Sequence, residues 1–103
     1  MELFKNQAAD GSSATFAHFG GASGLLNFYV AGDLGGGTLT VEAEVPDESG
    51  FVPVAEVTEP GLHVVSAAPF VGRVTLAGAT TPDVSVWAEA ESAKVTARVR
   101  EDV

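Results

Sequence analysis

One stretch limits the fold more than any other. In residues 38–45, TLTVEAEV, Leu39, Val41, Ala43 and Val45 alternate with Thr38, Thr40, Glu42 and Glu44. Successive side chains of a strand point to opposite faces, so strict alternation over this length describes a strand with one buried side. A helix would scatter the same four apolar residues around its circumference. Pro46-Asp47-Glu48-Ser49-Gly50 ends the run with turn formers, and residues 51–57 resume an extended pattern. Pro53 has no N–H to give to a ladder, which puts this second strand at a sheet edge or at a bulge. Glu59-Pro60-Gly61-Leu62 fits a type II turn, with proline presetting φ and glycine taking the positive φ. From Thr38 to Ala77 the pattern predicts four short strands, read as a β-meander.

The rest of the chain repeats this grammar. Short extended segments are expected at residues 2–5, 15–19, 26–31, 70–77, 83–90 and 94–100. They are separated by a polar loop at 6–13 and glycine-rich connections at 20–24 and 32–37. No segment holds a 3.6-residue period between its glycines, so no helix is expected. Eight or nine short strands at about eight- to twelve-residue spacing are the mark of a sandwich or jelly roll. The expected fold is all-β: one antiparallel, jelly-roll-like β-sandwich over residues 1–103, with residues 1–14 a partly extended N-terminal arm. A chain of 103 residues has room for one such core.

Composition excludes several classes. The chain is 46% hydrophobic, far from the signature of disorder. It has no cysteine, which removes disulfides and thiolate metal sites. No apolar run approaches the roughly 18 residues of a membrane span, and the first residues lack a basic-then-apolar leader pattern. The formal charge of −9 is uneven: residues 36–70 carry six acids and no Lys or Arg. Phosphate-binding surfaces need clustered cations, so neither nucleic acid nor an anionic membrane is an expected partner. The acidity serves solubility, or it forms a face for a basic partner; the residues leave both open.

The candidate chemistry is thin. His18 and His63 sit singly in separate strands, with no carboxylate or second histidine at metal-ligand spacing. Asp47 and Glu48 lie in a turn without the oxygen ladder of a calcium loop. The glycines at 35–37 precede a strand and lack a phosphate-loop lysine. Ser12, Ser13 and Ser23 have no nucleophile-elbow context. No catalytic residue, metal ligand or cofactor is expected. Arg73, between Phe70, Val71, Val74 and Leu76, reads as a strand arginine with a packed stem and a head that reaches a carboxylate. Trp87 falls on the polar side of its strand by alternation. It is either an exposed anchor or sugar platform, or a core residue beneath a covered face.

The order of the pieces resembles that of small tailed-phage virion proteins: capsid decoration, cement and head-fibre proteins of β-sandwich or jelly-roll type. The resemblance lies in Leu3-Phe4, the Asp10-Gly11-Ser12-Ser13 loop, and Leu39-Thr40-Val41-Glu42-Ala43 running through Pro46-Asp47 to Phe51-Val52-Pro53-Val54. It continues in Glu59-Pro60-Gly61, the strand centred on Arg73, and Val84-Ser85-Val86-Trp87. It implies a non-enzymatic structural protein made in the host cytoplasm and bound to the outer capsid surface. The implied partners are the major capsid protein and further copies of the chain, as a symmetric oligomer of trimer type. A carbohydrate- or receptor-binding module of a head or tail fibre is the first alternative; a small enzyme or cupin-like metal site is the second, and the missing His/Glu ligand cluster argues against it.

Six Phe, one Trp and one Tyr are more than one thin core easily hides, which favours an interface. Its expected residues are Leu3, Phe4, Phe16, Phe51 and Trp87. Arg98 and Arg100 are also expected there, on one face of the segment 94–100, as countercharges for Glu42 and Glu44.

Overall fold

The computed structural model describes residues 1–18, 25–66 and 70–90. Nine strands run through them: β1 (Glu2–Gln7), β2 (Gly11–Ser12), β3 (Phe16–His18), β4 (Leu25–Asp33), β5 (Thr38–Glu44), β6 (Phe51–Val57), β7 (Gly61–Ser66), β8 (Phe70–Ala77) and β9 (Asp83–Ala90). They form two antiparallel sheets. The first has the order β1-β9-β4-β7; the second has β2-β8-β5-β6, with β3 also on β8.

The pairings are nested. β5 pairs with β6, β4 with β7, β2 and β3 with β8, and β1 with β9. The chain is thus one long antiparallel ribbon doubled back at residues 45–50. Rolling the ribbon brings β4 beside β9 and β5 beside β8, which closes the two sheets. That is the jelly-roll architecture, and the sandwich expected from strand spacing is the fold.

The core lies between the sheets. Leu26, Phe28 and Val30 of β4 face it with Val84, Val86 and Ala88 of β9. Leu39 and Val41 of β5 and Val74 and Leu76 of β8 meet them from the second sheet. Phe16 crosses the interior edge-to-face onto Phe28, with ring centroids 6.1 Å apart, a favoured geometry for aromatic pairs. Each of these strands alternates inward apolar with outward residues, as the pleat requires.

The 46–50 turn signal is realised, and of the type II turn expected at 59–62 the positive φ of Gly61 is. Val45 donates its N–H to the Gly50 carbonyl, and Ser49 donates to the Asp47 carboxylate, closing the β5–β6 turn. Gly61 has φ of +137° at the entrance to β7. β6 is a sheet edge, and its register jumps between Val41–Ala55 and Glu42–Pro53, leaving Val54 as an extra residue. Both expectations for Pro53 therefore hold together. Between β4 and β5, Gly35 takes φ of +63°, and a Cβ there would collide with the Thr80 carbonyl. The chain reaches from one sheet to the other at this point, and only glycine fits.

Three expectations change. Residues 38–77 are not a meander: β5 and β6 are a hairpin, but β7 crosses to the other sheet and β8 returns beside β5. Alternation tells which side of a strand is buried, not which sheet it joins. Residues 1–14 are not an arm. β1 is hydrogen-bonded to β9, Met1 continues that ladder to Ala88, and Asp10 accepts the N–H groups of Gly78 and Ala79. The loop read at 6–13 contains β2, set off from β3 by a break. There the Ser13 N–H donates to the Val74 carbonyl while its Oγ accepts the Val74 N–H, so a side chain stands in for the missing ladder carbonyl. The strand expected at 94–100 lies outside the described residues.

Candidate functional site

The residues with any claim to function lie on the two solvent faces of the sandwich. On the five-stranded sheet, the outward positions of β5 and β8 bring Glu42 directly opposite Arg73. Arg73 Nε donates to Glu42 Oε1 at 2.8 Å, and Thr75 Oγ1 donates to the same oxygen at 2.6 Å. Ser12 Oγ lies 2.8 Å from Thr75 Oγ1 and extends the chain to the sheet edge. The guanidinium carbon sits 3.9 Å from the centre of the Phe51 ring, close enough for cation–π attraction. The Thr75 hydroxyl first, and then the Arg73 guanidinium, hold the Glu42 carboxyl below its ordinary value of 4.5 against the opposing effect of burial. Glu56 lies on the same face, opposite Thr40. The expected carboxylate partner of Arg73 is therefore Glu42. Glu42, Arg73, Thr75, Ser12 and Phe51 all have a partner within this cluster, which makes it a clamp across β8, β5 and β6.

The outer face of the four-stranded sheet is different. Tyr29 of β4 stands opposite Trp87 of β9 on one side and opposite Leu62 of β7 on the other. Residues so paired have Cβ atoms about 5 Å apart, so the three form one row across three strands. Trp87 is 38% exposed, Tyr29 40% and Leu62 57%. Val64, next outward on β7, is 54% exposed, and Asn27 stands opposite it. Glu2 flanks the row at Trp87, and Glu89 lies beyond Asn27. The alternatives for Trp87 are thereby resolved: it is on the solvent side of its sheet, not in the core.

The other expected interface residues divide. Phe4 and Phe16 are inside the sandwich. Their strands close the sheets, and an aromatic pointing inward from such a strand fills the core before it can meet a neighbour. Leu3 is half-buried against that core, and Phe51 is half-buried beneath Arg73. Arg98 and Arg100 lie outside the described residues; of their intended partners, Glu42 is already paired to Arg73. Sequence reasoning missed Leu62 and Val64. In GLHVVS both sides of the strand are largely apolar, so alternation alone does not say which side meets solvent.

The remaining titratable groups have local duties. His63 Nε2 lies 2.9 Å from the Glu59 carbonyl and ties the β6–β7 turn to β7. Asp47 accepts hydrogen bonds from Ser49, first from its hydroxyl and then from its N–H, which lowers its carboxyl below the ordinary value. Among the described residues no three His, Asp or Glu side chains converge as a metal site. None of the described residues belongs to a helix long and apolar enough to cross a membrane. Comparison with protein-family models, with curated proteins and with solved structures finds no match for this chain.

Proposed function

We propose that this chain is a non-enzymatic virion structural protein of a tailed phage. In this reading it binds the outer surface of the capsid as a symmetric oligomer. The observation that carries it is the row Trp87–Tyr29–Leu62 with Val64, an apolar strip on the solvent side of an otherwise acidic domain. Trp and Tyr are the residues most often found at the energetic centre of protein contacts. The strip lies on a rigid sheet whose other side is core, so it would dock without an ordering cost. The jelly-roll topology agrees with the virion resemblance. The partners in this reading are the major capsid protein and further copies of the chain, and the place of action is the capsid surface after synthesis in the host cytoplasm.

The test is co-sedimentation with capsids assembled without this chain. The wild-type protein should pellet with them, and Trp87→Ala should lower the bound fraction at least tenfold while keeping the wild-type circular dichroism. Equal binding by both proteins, or none by the wild type, rejects the reading.

One observation favours a second reading. Two exposed aromatics side by side on a flat sheet are also a platform for a sugar ring, as a fibre-type carbohydrate-binding module would need. Retention on immobilised glycans that depends on Trp87 and Tyr29, without capsid binding, would decide for it.

A further inference from the structure

The four edges of the sandwich are not equivalent. β1 edges the four-stranded sheet with two register shifts, at Glu2/Phe4 and Phe4/Gln7, and with Asn6 at φ of +50°. β2 and β3 form a broken edge of two and three residues, interrupted at Ser13. β6 carries Pro53, the Val54 bulge and Glu56. Bulges, prolines, short strands and charges are the devices by which proteins keep sheet edges from pairing with other chains. β7 has none of them. It pairs with β4 over six consecutive residues without a register shift. It contains no proline and no Lys, Arg, Asp or Glu. Its one ionisable residue, His63, stands opposite the buried Phe28 on the inner side and is held by the Glu59 carbonyl. Among the described residues, β4 is the only strand that pairs with it.

We infer that the β7 edge is where two copies of this chain join, their β7 strands pairing antiparallel across a two-fold axis to make one continuous eight-stranded sheet. The inference rests on the oligomer reading above and sets a dimer in place of the trimer that the resemblance implies. A second copy fits because the strand is self-complementary. It has no formal charge to repel its own image, and an antiparallel pair of identical strands closes under two-fold symmetry and then stops. A register centred on Leu62, His63 or Val64 keeps the faces matched and sets Leu62 and Val64 of one copy beside those of the other. The strip Trp87–Tyr29–Leu62 then runs unbroken through both copies, which doubles the apolar surface offered to a capsid. Backbone N–H and C=O groups supply the attraction, as in strand addition generally.

Sedimentation equilibrium between low and high micromolar concentration tests it, with the wild type beside Val64→Lys, Leu62→Lys and Trp87→Ala. A lysine on an exposed edge position blocks pairing while leaving the core untouched. The wild type should weigh twice 10.5 kDa. Either lysine variant should be monomeric with a wild-type circular dichroism spectrum, and Trp87→Ala should remain dimeric. Amide exchange in β7, but not in β1 or β6, should slow as the wild-type concentration rises. A wild type that stays monomeric, or a dimer that both lysine variants preserve, overturns the inference. A dimer lost in Val64→Lys beside undiminished capsid binding by Trp87→Ala upholds the edge contact and sinks the docking reading; the reverse pattern does the opposite.

Discussion

The two outer faces of this sandwich are built on the same core, yet one is tied together by polar side chains and the other presents an aromatic row. On the five-stranded sheet the polar side chains satisfy each other: Glu42 receives Arg73 and Thr75, Ser12 meets Thr75, and Phe51 lies under the guanidinium. On the four-stranded sheet, Trp87, Tyr29, Leu62 and Val64 are exposed. The difference teaches that the two faces are built with different chemistry. The acidic residues that dominate the charge are partly spent on internal cohesion, whereas the outward row of the four-stranded sheet is apolar and exposed. In the proposed docking role an acidic chain would meet its partner through that row and not through its acids.

The largest expected effect asks whether the two faces fail together. Phe28 is fully buried and touches Phe16 of the opposite sheet. Phe28→Ala should cost about 3–5 kcal/mol. Urea unfolding followed by Trp87 fluorescence, which reports on the apolar face, should coincide with unfolding followed by far-ultraviolet circular dichroism. Two separated transitions would mean that the faces belong to independently stable sheets.

Next comes the link between the faces. Gly35→Ala places a Cβ against the Thr80 carbonyl and forces a left-handed backbone onto an L-residue, whereas Gly36→Ala meets open space. The first should cost about 2 kcal/mol and the second about 1. Equal losses in thermal denaturation would show that the close approach between the β4–β5 and β8–β9 connections is not tight in solution.

The polar face supplies a smaller effect with a definite pH dependence. Glu42 is one-fifth exposed and Arg73 about one-third, so solvent screens part of their attraction. Glu42→Gln should cost about 1 kcal/mol at neutral pH. Because the folded carboxyl titrates below its unfolded value of 4.5, its contribution is fully present above that pH. It is lost as pH falls through the lower folded value. Wild-type and Glu42→Gln urea midpoints should therefore converge in acid; a gap that is constant with pH would remove the charge from the account.

The open face should respond least of all. Tyr29→Ala removes a half-exposed ring and its cross-strand pairs with Trp87 and Leu62, a loss of about 0.2–1 kcal/mol. A loss well beyond that range in urea titration would mean that the row stabilises the domain itself and is not reserved for a partner.

Local chemistry made the strands and turns legible. The alternation around Val41, the proline in β6, the Glu59–Leu62 turn and the carboxylate for Arg73 all follow from the pleat, from the missing proline N–H and from charge. Sheet membership was not legible. Whether β7 joins β6 or crosses to β4 depends on which neighbour buries Val65, and GLHVVS carries no mark of that choice. For the same reason Phe4 and Phe16 read as surface anchors while they fill the core. Trp87 was flagged by its side of the strand, but the row it belongs to comes from the registers of three strands far apart in the sequence. Those registers exist only after the sheet has formed.

The nesting of the pairs also fixes an order of assembly. Closing a loop costs more the longer it is, so Met1 finding Ala88 from an open chain is the most expensive single contact in the ribbon. The β5–β6 hairpin needs only the short 45–50 connection, and once it is made, β4 and β7 lie at the ends of short connections and can join in turn. The route of lowest closure cost is therefore a zipper from the middle of the chain outward, and non-local β topologies fold in about milliseconds to seconds. On that route β1 would be the last strand to arrive. Until it arrives β9 is itself an open edge, so a nascent copy has a second place where a stray strand can add.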